Sequence, residues 1–185
     1  MNWVVLDQRV LSQQVLRQRV IWQQAVLYQE DSDDERATAF HEAGHAVLAI
    51  TLGRPVEKVT IERNSLRLGQ VHMSKRRGQP IKDAVEVQAL ILLAGVVAEA
   101  RIVGRYNWPG AQQDMVGVRQ LARYRGATEK QVERLQHRWL DKTEHLLDAP
   151  DTWLAIERVA EELIAKKSLS GRAVQHIVDR TIDND

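Results

Sequence analysis

Between residues 5 and 27 apolar pairs alternate with polar triplets rich in Gln and Arg: Val5-Leu6, Val10-Leu11, Val15-Leu16, Val20-Ile21 and Ala25-Val26. This five-residue period matches neither the 3.6 of a helix nor the 2 of a strand. Wound as a helix, it spreads its apolar pairs around the cylinder. Residues 1–29 are therefore read as a helical extension that packs locally, docks or self-associates. The acidic run Glu30 to Glu35 opens the main domain, residues 30–185, and leads into a helix starting near Asp34, where carboxylates meet the positive end of the helix dipole. That helix runs through Ala37 to Leu52, with Gly53 as its cap and Pro55 barring continuation.

Two β-like runs follow, Val56 to Glu62 and Leu66 to Met73, joined by a turn at Arg63-Asn64-Ser65. A basic loop carries Lys75, Arg76, Arg77, Gly78 and Pro80. From Asp83 to Val103 the pattern becomes helical and, between Leu90 and Ala98, apolar on most sides, so this helix is expected at the centre of the core. Further helices are expected from near Ala111 to Arg125, from a Thr128/Gln131 capping box to Leu147, over Asp151 to Lys167 and, briefly, after Ser170. The fold class is mainly α with a small β-sheet or hairpin.

Length and composition narrow the function. At 185 residues the chain suits one domain of ~150 residues plus an extension. Lys+Arg 26 against Asp+Glu 25 leaves a net charge of +1, unlike the clustered positive excess of a nucleic-acid binder. Cysteine is absent, which removes disulfides, thiolate metal sites and Cys nucleophiles. With one Phe and 5% aromatics, the core is expected from Val, Leu, Ile and Ala. The uncharged run Ala89 to Ala98 is far shorter than the ~20 residues a membrane span needs. No signal peptide is legible either, so the expected location is cytoplasmic.

The chemistry lies in His41-Glu42-Ala43-Gly44-His45, an H-E-x-x-H motif inside an expected helix. At ~100° per residue, positions 41 and 45 fall one turn apart on one face, where both imidazoles reach a single metal ion, and Glu42 projects beside them toward a metal-held water. Ala43, Gly44 and Ala46 keep the helix slim. Gly44 costs roughly 1 kcal/mol of helix propensity relative to Ala, and close packing beside a metal site would account for it. Two histidines need a third ligand; spacing leaves His72, Glu86, Glu99, Asp114 and His137 open.

The segment Ala37 to Val47 resembles the peptidase domain of FtsH-type ATP-dependent zinc proteases. The resemblance continues through Val59-Thr60-Ile61, Leu68-Gly69-Gln70-Val71, Leu92 to Glu99 and Gly110-Ala111-Gln112-Gln113-Asp114, and ends at Val159 to Leu163 with Leu169-Ser170-Gly171, covering roughly residues 35–180. It implies that His41, His45 and Asp114 bind Zn2+ and that Glu42 is the catalytic base. Glu99 matches an acidic family position in a core helix. It either supports the metal site or pairs with Arg101 or Arg105. The other histidines receive no role.

The resemblance implies a zinc metalloendopeptidase that uses a metal-polarised water on peptides or unfolded proteins. No G-x-x-x-x-G-K-[ST] phosphate loop occurs, so the expected enzyme works without its own ATPase and without a membrane anchor. A separate ATPase or a homo-oligomer is a possible partner. Two other readings stand beside it: an inactive peptidase-like scaffold that retains a metal site, and a helical assembly module without metal. The intact Glu42 argues against the scaffold, because a purely structural site has no use for a base.

Overall fold

The computed structural model describes residues 34–62, 69–74 and 83–182. The chain divides into two units, residues 1–35 and 36–185. The expected extension 1–29, the Arg63-Asn64-Ser65 turn, residues 66–68 of the second β-run and the basic loop from Lys75 to Pro80 lie outside the described residues.

Helix α1 occupies residues 34–51 as described. It ends as its sequence requires: Gly53 adopts φ 75, a left-handed conformation that costs glycine little. The Gly53 and Arg54 N–H groups then donate to the Ile50 and Ala49 carbonyls, closing the helix in a Schellman-type turn. Strands β1 (Val56–Thr60) and β2 (Gln70–Met73) pair antiparallel, with Val59 opposite Val71. Helix α2 (Ala84–Val103) is capped by the Asp83 carboxylate, which accepts from the Glu86 N–H at 2.9 Å. Its buried run from Ala89 to Glu99 makes it the central element, packed against α3 (Gln112–Arg125) and α4 (Glu129–Leu147). The Thr128/Gln131 capping box opens α4 as the local sequence requires.

Helix α5 (Pro150–Lys166) takes Pro150 into its first turn, where the missing N–H costs nothing. No residue pattern marks β3 (Ser168–Ser170), which pairs antiparallel with β1 and makes the sheet order β2-β1-β3. Its cause is a turn: Lys167 takes φ 62, and its carbonyl accepts from the Ile61 N–H at 2.9 Å and the Thr60 hydroxyl at 3.2 Å. Helix α6 (Gly171–Ile182) then packs on α5 and β1. The core is mostly Val, Leu, Ile and Ala as expected, with Trp139 of α4 also fully buried. Among the described residues no helix is long and apolar enough to cross a membrane.

Candidate metal centre

Helices α1 and α2 meet where both lack bulk. A Cβ on Gly44 would lie 2.5 Å from the Ala94 carbonyl oxygen and 2.8 Å from the Ala98 Cβ. One turn along, the His41 and His45 rings rest over Gly95, where a Cβ would lie 2.5 Å from His45 Nε2. The rings stand edge to face with centroids 4.6 Å apart.

Hydrogen bonds fix how each ring points. His45 Nδ1 lies 2.7 Å from the Ile91 carbonyl oxygen. A carbonyl only accepts, so the proton sits on Nδ1 and Nε2 keeps its lone pair. His41 Nδ1 donates to Glu99 Oε2 at 2.8 Å, and Glu99 Oε1 accepts from Asn107 Nδ2 at 2.9 Å. Anchoring Nδ1 in this way is how proteins orient metal-binding histidines.

Both Nε2 atoms turn inward, 3.0 Å apart. Asp114 Oδ2, from the first turn of α3, lies 3.1 Å from His41 Nε2 and 3.5 Å from His45 Nε2. A tetrahedral ion with bonds of ~2.0–2.2 Å needs its ligand atoms roughly 3.3–3.5 Å apart, so the three atoms fit one such ion after small adjustments. Among the described residues these three are the group able to hold a metal. Of the other third-ligand candidates, His72 and His137 are exposed, and Glu86 pairs with Lys142 at 3.0 Å. Glu99 supports His41 from behind. Arg101 lies over the Trp153 ring, 4.0 Å from its centroid, and bonds Asp148.

The electrostatics also suit a cation. Burial works to raise the Asp114 pKa, but its hydrogen bonds to His41 and His45 outweigh that and hold it well below the usual carboxylate range. For Glu99 burial likewise raises the value, and the His41 and Asn107 contacts bring it below normal. Burial opposes a charged His41, yet Asp114, Glu99 and Glu42 more than offset this and raise its pKa from 6.5 to about 10 in the metal-free site. Glu42 is itself buried. Gly69, just ahead of β2, stands so close that a Cβ there would lie 2.7 Å from Glu42 Oε1.

No role for Asn107, the Ile91 carbonyl or Gly69 is legible in the sequence. Gly69 stands within a segment of the resemblance, and Asn107 is a turn-forming residue ahead of Trp108-Pro109-Gly110.

Comparison with known proteins agrees with this geometry. Residues 29–128, more than half the chain, match the family described as Peptidase family M41. The ATP-dependent zinc metalloprotease FtsH of Protochlamydia amoebophila is 39% identical over 97 residues, covering 50% of this chain and 10% of that protein. FtsH 2 of Symbiobacterium thermophilum is 31% identical over 153 residues, covering 80% of this chain and 24% of its own length. In the Acidimicrobium ferrooxidans relative the figures are 37% over 97 residues, 50% and 14%. The chain thus spans between a tenth and a quarter of the length of these relatives. With the family match running from ahead of α1 past the end of α3, and so across every residue of the His-His-Asp group, the chain belongs to peptidase family M41 and carries an FtsH-type peptidase domain.

Proposed function

We propose that this chain is a zinc-dependent endopeptidase for peptides and unfolded polypeptides, with His41, His45 and Asp114 as the zinc ligands and Glu42 as the base. The observation that carries this reading is the convergence of two Nε2 atoms and one carboxylate oxygen within 3.5 Å of one another. Zinc, when bound, would supply the Lewis acid that polarises a peptide carbonyl and a water. Glu42 takes the proton of the attacking water and passes it to the departing amine nitrogen. Burial of its carboxylate keeps bulk water from competing for that proton. Glu99 and the Ile91 carbonyl anchor both Nδ1 atoms, so that each Nε2 faces the place of the metal.

The sheet supports this substrate class. Among the described strands β2 pairs only with β1, and Gly69 brings its start against Glu42. An extended chain laid along this edge gains main-chain hydrogen bonds beside the base. Peptides and unfolded segments offer such a stretch of backbone. A separate ATPase, or assembly into a homo-oligomer, would serve folded substrates. The balanced charge gives no reason to invoke nucleic acid.

Unfolded casein incubated with the untagged chain tests the reading. Cleavage should appear without nucleotide, stop when a chelator removes zinc, and return when zinc is restored. Zinc-loaded protein that leaves casein and short peptides intact would contradict the enzyme and favour the scaffold.

A further inference from the structure

The turn between α2 and α3 contains a side chain that reaches both arms of the metal centre. Asn107 Nδ2 donates to Glu99 Oε1 at 2.9 Å, and the opposite oxygen of Glu99 holds His41 Nδ1 at 2.8 Å. At its other end, Asn107 Oδ1 accepts from the Gly110 N–H at 3.2 Å, and its backbone carbonyl accepts from the Ala111 N–H at 3.1 Å. Ala111 is the cap residue of α3, whose first turn presents Asp114. The amide orientation is forced, since an ionised carboxylate only accepts and a backbone N–H only donates. Gly110 is pressed against this amide, with no room for a Cβ beside Nδ2.

We propose that Asn107 is a positioning residue that ties the His41 arm to the Asp114 arm, so that the ligand atoms from α1 and α3 are held in register. The proposal rests on the zinc reading above. Only a side chain with a donor and an acceptor at opposite ends can join a carboxylate to a backbone N–H. Neither aspartate nor leucine can do both. The Trp108 and Pro109 that follow stiffen the turn but touch neither arm through a side-chain hydrogen bond among those described.

The test is the zinc dissociation rate of the full chain, read with a chromophoric chelator. Asn107→Asp keeps an acceptor for the Gly110 N–H and sets a second carboxylate against Glu99. It should speed zinc loss by ~10–100-fold, the usual effect of removing a partner behind a metal ligand. Glu99→Gln should do the same, because with its amide oxygen on His41 Nδ1–H its NH2 group faces the Asn107 NH2, donor against donor. The double variant Asn107→Asp/Glu99→Gln exchanges donor and acceptor: the new amide donates to the new carboxylate and keeps its oxygen for His41 Nδ1–H. It should recover to within roughly threefold of the wild-type rate, a strong non-additivity between contacting residues. A merely structural role would give additive losses. Single variants within twofold of wild type, or a double variant as fast as the product of the singles, would overturn the proposal. A wild-type chain that binds no zinc would overturn the metal reading and this inference together.

Discussion

Glu42→Gln should leave zinc binding unchanged and lower peptide hydrolysis by about 10²–10⁴-fold, the usual worth of a positioned general base. The substitution preserves shape, so the packing of Gly69 against the side chain survives. What it removes is the carboxylate proposed to accept the proton. The carboxylate belongs to a buried residue and helps to raise the His41 pKa, which places its charge beside the ligand group. An amide there can still hydrogen-bond a water but cannot take its proton. Zinc content and peptide turnover, measured on the same preparation, separate the two effects. A variant that keeps most of its activity would show that another group serves as the base.

Gly95→Ala should be nearly as damaging by a different route. The new Cβ would lie 2.5 Å from His45 Nε2, 2.6 Å from its Cε1 and 2.8 Å from His41 Cδ2. His45 cannot swing aside cheaply, because its Nδ1 is tied to the buried Ile91 carbonyl. Nor can α2 retreat, since it is packed between α3 and α4 and its Ala94 already meets Gly44. The rings must therefore leave the geometry that converges on one ion. Zinc affinity should fall on the order of 100-fold or more, beyond the usual effect of losing an outer partner. The fold should lose only ~1–3 kcal/mol, as for other overpacked sites. Competition against a chelator gives the affinity, and urea unfolding of the zinc-free protein gives the stability. Affinity within a few-fold of wild type would show that the rings do not need the space over Gly95.

The sequence shows its local features directly. One helical turn separates His41 from His45, so their shared face follows from the period alone. The Thr128/Gln131 box and the Gly53 cap follow in the same way, because each closes within a few residues. Asp114 is different. It comes from another helix, and spacing left it level with His72, Glu86, Glu99 and His137. The resemblance alone singled it out, and the stacking of α3 on α2 then brings its Oδ2 to 3.1 Å from His41. β3 was invisible because three residues carry no period, and it forms only where the Lys167 turn meets β1. Gly69 acts on Glu42, which is distant in sequence, and Asn107 acts through Glu99, whose contact with His41 only the packing of α1 on α2 reveals. Trp139 fills the core despite the aromatic-poor composition because α4 turns it toward the interior. The division at residues 29 and 30 remains a reading of composition, since the extension lies outside the described residues.

Zinc titration of the untagged chain at about pH 7.5 tests the central claim most directly. In the metal-free site the raised His41 pKa of about 10 keeps a proton on each ring nitrogen, and binding must displace the one on Nε2. The expected result is one zinc per chain, roughly one proton released per zinc, and affinity that weakens as the pH falls. In Asp114→Ala the binding should collapse while the helical signal persists. A wild-type chain that takes up no zinc, or an Asp114→Ala variant that binds it as tightly as wild type, would contradict the account.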